Sequence, residues 1–294
     1  MQGLILIDKP QGITSFTAVR KIKKLAKEKR VGHTGTLDPI ATGVLPIFIG
    51  RATVLSSFLS DADKTYVATI KLGISTDSYD VTGNVLEEKE VNVTDSQIDE
   101  TIEQFRGKQL QKPPIFSAIK KDGVRLYDLA RKGLKPEVKA REITVYSIER
   151  ISEVKENCFK IRVHCSKGTY IRSLCNDIGL KLGCGATMSE LRRVSAHGFD
   201  IGECVPLDSL NEENIESFIV SEEKAVENLR EIKVTEKQAV RFTNGGVLDI
   251  SRLKIFDVKE KEKFRVKFGE ILLGIGYYNL EKNSICIDNV LNKI

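Results

Sequence analysis

Apolar residues recur along this chain in two rhythms. A continuous run, "GLILI" at residues 3–7, stops at "DKPQG" and predicts a short buried strand closed by a turn. Behind it Val19, Ile22, Leu25 and Ala26 repeat at helical spacing after Thr14 or Ser15, either of which can cap a helix. Alternation with period two predicts strands in "KTYVATIKLG" and "CFKIRVHC", where Phe159, Ile161, Val163 and Cys165 share one face. "VTGNVL" suits a turn and a further strand. "TDSQIDETIEQF" opens on a capping signal and places Ile98, Ile102 and Phe105 on one side of a second helix. A short helical "LYDLARKG" and a β run lie in the middle of the chain. The strand "CFKIRVHC" breaks at Lys167 and Gly168, and a helix is expected from about Ile171, which puts Arg172 at a strand-to-helix junction. Towards the end, "IKVTEKQAVRFTNGG" predicts a short helix. Strand-like "RLKIFDV", "KFRVKFG", "EILLGIGYYN" and "SICIDNVL" then follow closely enough to suggest a small barrel.

Composition narrows this picture. The 294 residues are 41% hydrophobic and 30% charged, the balance of a globular chain with length enough for one large domain or two unequal ones. No apolar run approaches membrane-spanning length, and the start reads as a strand rather than a signal peptide, so a cytoplasmic location is expected. Six cysteines lie scattered with no C-x2-C pair, and the three histidines complete no ligand set. Reduced, mostly buried thiols are expected, and no zinc site. Motifs that cradle phosphates of nucleotide cofactors are absent as well.

Charge divides the chain. The net charge of +5 splits into +7 over residues 1–206, −6 over residues 207–229 and +4 over residues 230–294. This predicts a large basic domain, a helical and mobile acidic linker, and a small basic domain. Two basic blocks suggest a polyanionic partner, although a solvated surface has the same composition. Within residues 20–30 seven of eleven residues are Lys or Arg, which makes Arg20, Lys23, Lys24 and Lys27 candidate phosphate contacts. Residues 112–139 form a basic, punctuated stretch that suits a surface insertion.

The candidate chemistry sits in "GHTGTLDPIATGVLP", residues 32–46, where Asp38 stands among glycines and prolines. Pro39 drives Asp38 into an extended backbone, and the apolar tail of the segment would fix it on a buried strand. Such a carboxylate either caps a turn or serves as a nucleophile, which must be ionised and benefits from a nearby cation. The residues alone leave both open.

Taken in order, "DKPQGITS", "GHTGTLDPIATGVLP", "KTYVATIKLG", "SAIKKDGVRLYDLAR", "CSKGTYIRSLCNDIG" and "LRRVSAHGF" resemble the TruB family of tRNA pseudouridine synthases over most of residues 3–206. The tail with "QAVRFTNGG" is similar to the PUA RNA-binding domain these enzymes often carry. The resemblance implies an α+β pseudouridine synthase fold: a mixed, mainly antiparallel sheet flanked by helices, with a small C-terminal PUA-like β-barrel. It divides the chain into a catalytic domain at 1–206 with an RNA-binding insertion at about 112–139, an acidic linker at 207–229, and an RNA-binding domain at 230–294. The implied reaction isomerises the uridine at position 55 in the T arm of tRNA, with Asp38 as catalytic carboxylate.

By the same resemblance, Tyr66 lies against the uracil and Arg172 pairs with the acid through its planar fork. Leu191 packs near the pocket, Lys9, Pro10 and Tyr170 shape it, and His33 contacts RNA where displaced bases leave a gap. Lys120 in the insertion joins the basic helix as an RNA contact. No metal or organic cofactor and no obligate protein partner is implied, and a monomer suffices. The rival readings are an RNA-binding or RNA-folding module and a guide-dependent synthase acting on ribosomal RNA.

Overall fold

In a computed structural model the protein is described at residues 1–59, 62–117, 119–121, 123–125, 129, 134 and 138–294. The expected helix "LYDLARKG" falls almost wholly outside the described residues. The chain forms β1 (Gly3–Lys9), α1 (Ser15–Leu25), β2 (Val31–His33), β3 (Ala41–Ile49), α2 (Ser56–Leu59), β4 (Lys64–Leu72), β5 (Ile74–Thr76), β6 (Val85–Glu88) and α3 (Asp95–Glu103). It continues through β7 (Gly107–Gln111), β8 (Lys120–Lys121), β9 (Val124–Arg125), β10 (Arg141–Arg150), β11 (Cys158–Cys165), α4 (Ile171–Leu182), β12 (Ala186–Ala196), β13 (Phe199–Asp200) and β14 (Val205–Pro206). The last part holds β15 (Arg230–Lys233), α5 (Glu236–Thr243), β16 (Leu248–Asp249), β17 (Lys263–Phe268), β18 (Ile271–Asn279) and β19 (Ser284–Val290).

Local signals set the helix starts. Thr14 caps α1 by accepting from the Thr17 amide, and Thr94 with Gln97 closes a full capping box on α3. Gly183, in a left-handed conformation, ends α4.

A ten-stranded mixed sheet runs β14-β1-β3-β12-β4-β11-β10-β7, with β2 on β3 and β13 on β12. Within this sheet, among the described residues, only the β1–β14 and β3–β12 pairings are parallel, so the expected mainly antiparallel α+β architecture is the one observed. Why "GLILI" is apolar without alternation is now clear. Ile5 and Ile7 face a core formed with Ala18, Val19 and Ile22 of α1, and with Leu174 and Ile178 of α4. Leu4 and Leu6 face the other way, against Phe48, Leu55, Val226, Leu272, Ile275 and Leu291. The C-terminal sheet, in order β15-β17-β18-β19-β16, therefore covers the back of β1 and β3 as a curled half-barrel.

Two expectations are corrected. The acidic stretch is no free helix: it makes three 3-10 turns, Leu207–Ser209, Ile215–Phe218 and Glu222–Val226, and buries Leu207, Leu210, Ile215, Ala225 and Val226. Its apolar residues dock because they meet the two cores just described, and Val220 exchanges backbone hydrogen bonds with Leu4 at 2.8 and 2.9 Å. "RLKIFDV" is not a strand either. A 3-10 turn, Ile250–Arg252, opens it, and Arg230 then captures the carbonyls of Phe256 and Asp257, which holds the segment as a loop.

Candidate active site

The loop after β2 carries Asp38 into the space between α1 and α4. Each end is seated on the sheet: the Thr34 amide donates to Pro46 O at 3.2 Å, and the Ala41 amide donates to Asp38 O at 3.0 Å. Gly43, with φ +107°, lets β3 pass close beside β12, since a Cβ there would stand 2.1 Å from the Arg193 carbonyl oxygen.

Arg172 approaches from the first turn of α4. Its Nη2 lies 2.9 Å from Asp38 Oδ2, and its Nη1 lies 3.4 Å from Asp80 Oδ2. The same guanidinium donates to Ser78 O at 3.0 Å and to Phe116 O at 2.8 Å. A cation at a helix N-terminus opposes the helix dipole, and Arg172 is also buried; two carboxylates and two carbonyls offset both penalties. Asp80 is itself fixed from behind, accepting at Oδ1 from Ser78 Oγ, the Thr82 amide and Thr82 Oγ1. Asp38 keeps 38% of its side chain exposed, against 6% for Asp80, so only one of the two acids can meet a substrate.

Tyr66 stands on β4 directly opposite Arg193 of β12, so the two side chains share the helix-facing side of the sheet, with the guanidinium near the phenol. Burial pushes the Tyr66 hydroxyl above its ordinary value, and Arg193 counters that in part. Leu191, two residues before Arg193, pairs in register with Ala41 of β3 and Ala68 of β4 and is 8% exposed. Tyr170 is the N-cap residue of α4; its amide donates to Gln111 Oε1 at 2.8 Å and its carbonyl accepts from Gln111 Nε2 at 3.0 Å.

Lys9 is fully buried at the end of β1. Its Nζ donates to Pro10 O and Ile13 O, each at 2.8 Å, so it braces the turn before α1. Burial lowers its pKa to about 8, against the opposing pull of Asp38. His33 ends β2 half-buried, its Nδ1 without a partner among the described residues, and burial with Arg193 nearby depresses its pKa.

The proposed RNA contacts differ among themselves. Arg20, Lys23 and Lys24 line the exposed face of α1, whereas Lys27 is paired with Glu212 at 2.8 Å. The acidic stretch therefore folds along α1, where Asp208 also takes Lys21 at 3.0 Å. Lys120 lies in the β8–β9 hairpin, and its side chain is outside the described residues. Sequence reasoning missed Asp80 and Arg193. The spacing Ser78-x-Asp80-x-Thr82 before Gly83 signals a self-bonded turn, and Arg193 is in phase with buried Leu191.

His197 adds a pH dependence. It turns the β12–β13 hairpin at φ +61°, is 7% exposed, and among the described residues neither ring nitrogen makes a well-formed hydrogen bond, though the Thr34 backbone is close. Burial, then Lys64 and Arg193, lower its pKa to about 3. The unfolded chain thus binds a proton from about pH 6.5 downward that the folded chain refuses, so this contribution to stability is full above that pH and is lost as pH falls. Between pH 7 and pH 5, the wild type should lose about 2 kcal/mol more unfolding free energy in urea titrations than His197→Asn, which tolerates the same backbone. Equal losses would show that His197 titrates normally in the fold.

Among the described residues no three His, Cys, Asp or Glu side chains converge as a metal site, and no helix is long and apolar enough to cross a membrane. Comparison with known proteins agrees with the geometry. A model described as TruB family pseudouridylate synthase (N terminal domain) matches residues 23–171, and one described as tRNA pseudouridylate synthase B C-terminal domain matches residues 172–232. Fold and sequence thus define a pseudouridylate synthase.

The relatives narrow it further. The protein named tRNA pseudouridine synthase B of Clostridium acetobutylicum is 45% identical over 290 residues, covering 99% of this chain and 96% of its own. That of Haemophilus influenzae is 42% identical over 264 residues, covering 90% and 84%. A chain in the crystal structure of a Cbf5-Nop10-Gar1 complex superposes with a TM-score of 0.75 at 29% identity, covering 99% of this chain and 85% of that one. This chain belongs to the TruB family of pseudouridylate synthases.

Proposed function

We propose that the protein is a tRNA pseudouridine synthase that isomerises the uridine at position 55 in the T arm, with Asp38 as the catalytic carboxylate. The observation that carries the reading is the accessible Asp38 carboxylate held 2.9 Å from a buried guanidinium, beside the Tyr66 phenol. The reaction breaks the bond from ribose C1′ to base N1 and forms one from C1′ to C5, with the C5 proton lost and N1 protonated. One rigid acid suits both halves of that exchange. Tyr66 and Leu191 line the uracil, Tyr170, Pro10 and Lys9 shape the pocket wall, and His33 meets the RNA strand left open by the displaced base. The C-terminal half-barrel is read as a PUA-like RNA-binding domain at residues 230–294, and the chain works as a monomer.

A guide-dependent reading draws on neighbours such as the H/ACA RNP bound to a substrate RNA, at 28% identity. The relatives named tRNA pseudouridine synthase B are 42–45% identical and favour tRNA. Purified protein is expected to convert uridine 55 of an unmodified tRNA transcript with no guide RNA present, read by mapping pseudouridine. Conversion only with a guide would support the other reading, and binding without product would support an RNA-folding module.

Recognition of the T arm by α1 makes a separate prediction. Lys23→Glu combined with Lys24→Glu should weaken tRNA binding and reduce the slope of log Kd against log salt by about 2, since each lost phosphate contact releases about one fewer counterion. Lys27→Glu alone should change the slope less, because Glu212 already occupies that ammonium. An unchanged slope in the double variant would place α1 outside the interface.

A further inference from the structure

The loop that carries Asp38 is tied down on one side by α1 and its preceding turn. Ser15 Oγ accepts from the Leu37 amide at 2.8 Å and donates to Leu37 O at 3.0 Å, and the Gly12 amide donates to Pro39 O at 2.8 Å. On the other side Arg193 adds a tie of its own. Arg193 Nε donates to Val44 O of β3 at 2.8 Å and Nη2 donates to Gly35 O at 3.1 Å, so a single guanidinium ties the start of the Asp38 loop to the strand that follows it. Gly35 closes on it at φ +80°, where an added Cβ would lie 3.4 Å from Nη1.

Arg193 is a poor residue for stability alone. It is fully buried, and its hydrogen-bonded partners among the described residues are carbonyl groups rather than a carboxylate. Burying a charge on such partners is costly, and a methionine would fill similar space without that cost. What Arg193 supplies is a fork that reaches both the loop, at Gly35, and β3, at Val44, from beside the Tyr66 phenol.

We propose that Arg193 is a positioning residue for the reaction: it ties the start of the Asp38 loop to β3 and seats Tyr66 opposite, which fixes the separation of acid and phenol. Its effect on turnover rests on the reading of the chain as a synthase with Asp38 as its acid. Its effect on the loop does not.

The test is hydrogen exchange together with kinetics on the full chain. In Arg193→Met, amides of residues 35–44 should exchange about tenfold or more faster than in the wild type without RNA. On a tRNA transcript kcat should fall about 10²-fold with KM nearly unchanged, the cost of a misplaced reacting group. Arg193→Lys, which keeps the charge and can reach one carbonyl, should recover part of both, and it carries the test if the methionine variant does not fold. Arg150→Met is the control. Arg150 binds Asp95 and Asp99 far from the loop, so its loss should lower Tm and leave kcat and loop exchange alone. Wild-type exchange in the loop of Arg193→Met or Arg193→Lys overturns the proposal, as does a rise in KM at constant kcat. A wild-type protein that makes no pseudouridine would overturn the functional reading while the exchange result still decides the role of Arg193.

Discussion

Asp38→Asn is expected to bind tRNA as the wild type does and to form pseudouridine about 10³-fold more slowly. The substitution changes one heavy atom, and the groups around it keep other partners. Arg172 retains Asp80, Ser78 O and Phe116 O, and the loop is held through backbone groups by Ser15, Gly12 and Arg193. The fold, the basic face of α1 and the residues proposed around the uracil all survive. Only the carboxylate is lost, and an amide can neither attack as an anion nor take up a proton as a base. Filter binding and single-turnover product formation on the same preparation separate the two effects. Turnover at the wild-type rate would remove Asp38 from the chemistry.

Arg172→Met should be both inactive and unstable. It takes the cation from between two acids, one of which, Asp80, is buried. Breaking a buried pair by removing one partner costs about 3–5 kcal/mol, and the low end applies here because Ser78 and Thr82 still donate to Asp80. Urea unfolding should report that loss. The combined variant Arg172→Met with Asp80→Asn should regain most of the stability, since no buried acid is left uncompensated, but none of the activity, since Asp38 is still unheld. Recovery of activity in the double variant would mean that Arg172 serves only to neutralise Asp80. Unchanged stability in the single variant would mean that water already screens the pair.

Much of this architecture was legible in the sequence because it is set locally. Thr14, Thr94 and Gly183 fix helix ends within a few residues of themselves, and alternation in "KTYVATIKLG" and "CFKIRVHC" announces strands. Asp38, Tyr66 and Arg172 were found through motif resemblance, and the fold brings them together. Asp80 and Arg193 were not found, since their local signals, a self-bonded turn and a place in phase with Leu191, do not show the distant partners that matter, Arg172 for Asp80 and Val44 O for Arg193. The acidic stretch misled for a related reason. Its charges suggest solvent, while its apolar residues, Ile215 and Val226 among them, decide where it packs.

That packing bears on how RNA would be aligned in the proposed contact with α1. Asp208 and Glu212 form a negative border along one flank of α1, while Arg20, Lys23 and Lys24 remain open on the other. A polyanion that slides past the cationic strip meets like charge, so its register along the helix is set by repulsion as well as attraction. Neutralising the border would loosen that register and admit RNA in misaligned poses, with tighter binding and poorer selectivity as the joint result.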